Sequence, residues 1–173
     1  MAIRLMAFDV DGSLTDGRIF LGENGETVKV FSARDGLGLS RAAKMGYLVG
    51  VITGRSSPVV EARAKELGMS FSLLGVSDKV AAMEELLRKY GISWEEAAYF
   101  GDDWNDLPLM HRVGFSGTPA DATEENRQEA DFVSEKKGGE GAARDFITWI
   151  WKRDHRYEEA LSCFVKDEET ASN

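Results

Sequence analysis

The chain is short of the residues that serve several common biochemical classes. It has one cysteine, Cys163, among 173 residues, so neither an intramolecular disulfide nor a cysteine-built metal cluster can form. Its two histidines, His111 and His155, have no surroundings that suggest a catalytic triad, and His111 reads as a helix-end residue. No stretch of 18 apolar residues occurs, which excludes a membrane-spanning helix. The apolar start MAIRLMAFDVDG is broken by Asp9 and Asp11, so it makes no signal-peptide core. Positive charge is scarce too: 21 Lys and Arg against 30 Asp and Glu leave a net charge of −9. A broad grip on nucleic acid or on an anionic membrane surface is therefore not expected, and a reducing cytoplasmic setting is. A small anionic substrate remains compatible with this balance, because a metal ion and a few basic groups can reverse the sign locally.

What is present fits one globular domain. The hydrophobic fraction is 43%, enough for a substantial core at this length. Short apolar runs (IRLMAFDV, YLVGVIT, EAAYFG, VGFSG and DFVS) read as buried strands. Between them lie segments with helical spacing, closing on a helix from residue 141 to about 153. Strands alternating with helices predict an α/β, Rossmann-like three-layer sandwich with a mainly parallel sheet. Residues 18–31 read as a β-hairpin inserted after the first strand. Residues 1–157 are expected to form the domain, and residues 158–173 an acidic tail with five acids and one lysine.

The chemistry is concentrated at predicted strand ends. Asp9 and Asp11 stand two apart where the first strand ends, so both point the same way, toward the crevice that open parallel sheets form at their carboxyl ends. Two carboxylates there repel unless a cation neutralises them, and a hard divalent ion such as Mg²⁺ takes oxygen ligands of this kind. Thr53 and Gly54 end a second strand, Lys79 opens a helix, and Asp102, Asp103 and Asp106 follow a third strand. Acid, hydroxyl, ammonium and acid, each at a strand end, suit phosphoryl transfer.

In order, DVDGSLT, VITGR, Lys79 and GDDWND resemble the four motifs of the haloacid dehalogenase superfamily of aspartate-nucleophile phosphatases. The resemblance implies that Asp9 is the nucleophile and Asp11 the acid–base group, with Thr53 and Lys79 binding the phosphoryl group. It also implies that Asp9, Asp102 and the Asp11 backbone carbonyl hold Mg²⁺. Asp103 acts through a metal-bound water, orients Lys79, or caps the turn that follows, and Asp106 lends support.

Neither gap that could carry a cap domain is long enough for one. The longer pattern, from DGRIFLGENGETVKVFSARDGLG to KKGGEGAARDFI, is similar to capless phosphatases of 8-phosphorylated 3-deoxy-octulosonate. That likeness implies a phosphorylated 2-keto sugar acid as substrate, a homotetramer built through the hairpins, and a sugar site lined by Arg34, Asp35 and Gly36 with Gly54 and Arg55 nearby. A guanidinium can grip the substrate carboxylate in a fork. Glu140 within GGEG is instead similar to phosphatases of nine-carbon sugar acids, whereas Arg55 favours the eight-carbon substrate. The reading from another class is an oligomeric scaffold with weak or no activity. The KKGG turn at residues 136–139 either touches substrate in a neighbouring subunit or forms a solvated turn.

Overall fold

A computed structural model describes residues 2–23 and 25–165. The first strand, β1 (Leu5–Phe8), is buried on both faces. Its alternate residues separate: Met6 and Phe8 enter one apolar cluster, Leu5 and Ala7 the other. That two-residue period makes β1 the centre of a two-faced core. An antiparallel hairpin follows, β2 (Phe20–Gly22) with β3 (Gly25–Val28). It forms a separate two-stranded sheet. The chain continues through α1 (Ala33–Lys44), β4 (Leu48–Ile52), α2 (Pro58–Glu66), β5 (Phe71–Leu73) and α3 (Lys79–Tyr90). Then come β6 (Ala97–Phe100), α4 (Leu107–Met110), β7 (Phe115–Thr118), α5 (Glu124–Glu129), β8 (Phe132–Val133), α6 (Ala142–Arg153) and α7 (Tyr157–Leu161).

The six-stranded sheet has the order β5-β4-β1-β6-β7-β8, and every pairing in it is parallel. Strand order reverses at β1, and this switch point opens a crevice beyond the carboxyl ends of β1, β4 and β6. Helices α1, α2 and α6 pack on the Met6–Phe8 side, through Leu39, Ala42, Val60, Phe146, Ile147 and Ile150. Helices α3 and α4 cover the other side with Met83, Leu86, Leu87, Leu109 and Met110. Among the described residues, only the hairpin separates β1 from α1, and only α2 and β5 separate β4 from α3, so neither gap carries a cap domain. The parallel sandwich agrees with the fold expected from the sequence. The segment read as tail begins inside α7, where Ala160 is buried, and residues 166–173 lie outside the described residues.

Candidate active site

The crevice is built around a buried lysine. Lys79 is the first residue of α3, whose start is fixed by Asp78, with its side chain accepting from Ala81 N (2.9 Å). Only 5% exposed, Lys79 donates from Nζ to Asp9 Oδ1 (2.6 Å), Asp106 Oδ1 (2.6 Å) and Tyr99 Oη (3.1 Å). Burial alone would lower its pKa, but Asp9 and Asp106 outweigh that and hold it above the usual lysine value. Its ammonium therefore stays charged.

Asp9 stands directly beyond β1, its N–H donating to Phe100 O of the neighbouring strand (2.8 Å). Burial, then the nearby Asp106 charge, pushes its carboxyl up to about 6 despite Lys79. Asp102, beyond β6, is pushed up by burial to about 8, against the pull of the Ser13 hydroxyl, which donates to Asp102 Oδ1 (2.7 Å). Asp9, Asp102 and Asp106 each offer an oxygen, all within 4.8 Å of one another. Three crowded carboxylates facing one ammonium make a donor set that fits a hard divalent cation. Asp106 is committed elsewhere, however. Its Oδ1 accepts from Lys79 and from the Tyr99 hydroxyl (2.7 Å), and its Oδ2 accepts from Asp102 N (2.9 Å) and Asp103 N (3.2 Å). That leaves Asp9 and Asp102 as the side chains fitted to the ion.

Of the three roles open to Asp103, the contact with Lys79 is made by Asp106. Asp103 is exposed and caps the 3₁₀ turn Trp104–Asp106, accepting from Trp104 N (2.7 Å). Thr53 is buried just past β4, anchored by its N–H to Leu73 O (3.0 Å). Gly54 and Arg55 follow it, both exposed. The first-motif loop turns at Gly12, where φ is +100° and a Cβ would collide with the Asp102 carboxylate, so this position requires glycine.

The Asp11 side chain points to the hairpin. Lys29 Nζ donates to Asp11 Oδ1 and lies 2.8 Å from Glu26 Oε2. Arg55 faces the same two acids, Nε at 3.9 Å from Asp11 Oδ2 and Nη2 at 3.6 Å from Glu26 Oε2. Ser57 donates to Glu26 Oε1 (2.6 Å). Sequence reasoning missed Glu26, Lys29, Ser13 and Tyr99. A hydroxyl in the buried run AAYF was the one visible signal for Tyr99. Glu26 and Lys29 are three apart, which in a continuous strand would put them on opposite faces, but β3 ends at Val28.

Arg34 is exposed at the start of α1, and its Cδ would lie 3.9 Å from a Cβ on Gly141. Asp35 and Gly36, expected at the sugar site, are buried in α1. Asp35 accepts from Gly141 N (3.2 Å) and Arg144 N (2.8 Å), so it caps α6, and burial raises its pKa. The KKGG turn packs on its own chain. Gly139 N donates to Ser13 O (3.2 Å), and a Cβ on Gly138 would run into the Gly12 carbonyl. This contact shows why glycines stand there.

A parallel sheet with an acid–lysine crevice at its switch point and no cap defines a haloacid dehalogenase-like hydrolase, and the family model of that description matches residues 74–145. The 3-deoxy-D-manno-octulosonate 8-phosphate phosphatase of Escherichia coli K12 is 41% identical over 158 residues, 91% of this chain and 84% of that protein. The Moraxella catarrhalis phosphatase of that name, solved with magnesium, phosphate and KDO, superimposes with a TM-score of 0.90 at 39% identity, covering 94% of each chain. The cobalt-bound Haemophilus influenzae phosphatase gives 0.86 at 36% identity, over 90% of this chain and 91% of that one. The chain belongs to the 3-deoxy-D-manno-octulosonate 8-phosphate phosphatase family.

Proposed function

We propose that this protein is a Mg²⁺-dependent phosphatase that hydrolyses 3-deoxy-D-manno-octulosonate 8-phosphate to the free sugar acid and phosphate. One observation carries the reading: Lys79 joins Asp9 and Asp106 in a crevice that also holds Asp102, in a chain 41% identical to a phosphatase of that name. Asp9 and Asp102, with the Asp11 backbone carbonyl, would hold the ion. When bound, Mg²⁺ offsets negative charge on the acids and on the phosphoryl oxygens.

The remaining chemistry falls to side chains. An Asp9 carboxylate oxygen attacks phosphorus, the ester P–O bond breaks, and Asp11 gives its proton to the departing sugar oxygen. Asp11, now a carboxylate, takes a proton from water as that water attacks the aspartyl phosphate. The bond from phosphorus to the Asp9 oxygen breaks, releasing phosphate and restoring both acids. Lys79 and Thr53 contact the phosphoryl oxygens. Arg34, exposed at the start of α1, and Arg55, exposed near Asp11, bind the carboxylate of the sugar acid. No cap domain covers the crevice among the described residues, so we further infer that copies assemble through the hairpins as a homotetramer that encloses it. A cytoplasmic location accords with the lone cysteine.

The test is phosphate release with Mg²⁺ from the eight-carbon 8-phosphate and from nine-carbon 9-phosphates. The eight-carbon substrate is expected to have the higher kcat/KM. A reversed order would transfer the assignment to nine-carbon sugar acids, the substrates suggested by Glu140, and no release from either would favour the scaffold. Asp9→Asn is expected to lose turnover by orders of magnitude while keeping the melting profile. Normal turnover in that variant would remove Asp9 as nucleophile.

A further inference from the structure

The catalytic roles above leave unused one buried lysine that touches the crevice. Lys29 follows β3 on the hairpin, and its side chain is 1% exposed. An ammonium is expensive to bury without partners, and this one has two. It donates to Asp11 and stands 2.8 Å from Glu26. Glu26 is itself buried at the side chain and fixed on its other oxygen by the Ser57 hydroxyl at the start of α2. The Lys29 ion pair and the Ser57 hydrogen bond overcome the burial penalty and keep the Glu26 carboxyl below its usual range. Arg55 completes an alternating set of two acids and two bases. Glu26 balances the Lys29 ammonium beside Asp11.

We propose that Lys29 is a positioning residue for Asp11: it grips Oδ1 and so presents Oδ2 as the atom that exchanges the proton with the leaving oxygen. The inference rests on the acid role given to Asp11 above. Asp11 lies two residues beyond the nucleophile on a loop, and its oxygen reaches the right place only if χ1 and χ2 are both set. Lys29, anchored through Glu26 and Ser57 to a different element, supplies that setting. The hairpin is thereby a working part of the crevice as well as an exposed surface. Misplacing a catalytic group by about 1 Å can cost on the order of a hundredfold in rate.

The experiment compares kcat/KM for two substrates. The sugar phosphate has a poor alkoxide leaving group that needs a proton. An aryl phosphate with an acidic phenol, such as 4-nitrophenyl phosphate, leaves without one. Lys29→Met is expected to lower kcat/KM for the sugar phosphate by about ten- to a hundredfold and to affect the aryl phosphate much less. Asp11→Asn calibrates the pair and is expected to show the same contrast, only larger. Equal losses on both substrates in Lys29→Met, or no loss on either, would overturn the positioning role. If Asp11→Asn itself shows no contrast, the acid role of Asp11 fails instead, so the two failures are distinguishable. Should Lys29→Met fail to fold, Lys29→Arg is read on the same substrates. It keeps the charge but moves the donors, and equal losses there also overturn the proposal.

Discussion

Asp106 has its acceptor positions filled by Lys79, Tyr99 and two backbone N–H groups. It thus joins the start of α3 to the turn beyond β6. Asp106→Ala strands the turn's donors and leaves Lys79 with only one carboxylate. Breaking a buried pair of this kind typically costs about 3–5 kcal/mol. Urea denaturation is expected to show a loss near the lower end of that range, since Asp9 still faces the ammonium. A second residue-level consequence concerns pH. Asp9 and Asp102 are raised from 3.8 to about 6 and about 8, so the folded protein binds more protons than the unfolded chain between about pH 4 and pH 8. Their contribution to stability is therefore full below the unfolded value and declines as pH rises through the folded ones. Metal-free melts are expected to fall across this window, and the slope to shrink in Asp102→Asn. Added Mg²⁺ binds the charged acids, so its stabilising shift is expected to grow with pH. A pH-independent shift would argue against these acids as its ligands.

Among the elements, α6 and the turn before it depend on contacts far away in sequence. Asp35 of α1 caps α6, and the Gly138–Gly139 pair lies on the first-motif loop. Asp35→Ala leaves the α6 N–H groups unpaired and is expected to cost about 1–3 kcal/mol with little change in KM. A large rise in KM without loss of stability would instead support a role for Asp35 in the sugar site. The same elements show what could be read in advance. β1, β4, β6 and β7 were legible as apolar runs, and α3 as a capped periodic helix, because burial writes itself into local pattern. DVDGSLT, Lys79 and GDDWND were legible because each site group sits at a strand or helix end that the pattern locates. The Asp35 cap was hidden because a capping aspartate more than a hundred residues from its helix has no local signature. Lys29 was hidden for a related reason: its partners, Asp11 and Glu26, meet only once the hairpin folds back over the crevice.

For the molecule as a whole, the hairpin carries the largest group of exposed apolar side chains among the described residues. Ile19, Phe20, Leu21, Val28 and Val30 are 42–70% exposed, and they lie on and beside the two strands of the separate hairpin sheet. An apolar group of this kind on an otherwise charged surface marks an association face, which is why the proposed tetramer is placed there. Fully burying one such side chain stabilises by about 1.5–3 kcal/mol. Replacing Leu21 and Val30 by Glu removes two of them per copy and adds charge to a chain already at −9. The concentration at which the assembly half-dissociates is therefore expected to rise by at least about a hundredfold, as read by sedimentation velocity. Added salt should partly reverse that rise by screening the new charges. An unchanged mass would place the contact elsewhere. If the mass falls while kcat/KM for the sugar phosphate holds, the single-chain crevice suffices, and association serves something other than enclosure of the site. If both fall together, the hairpin links assembly to catalysis, on its apolar side through neighbouring copies and on its polar side through Lys29 and Asp11.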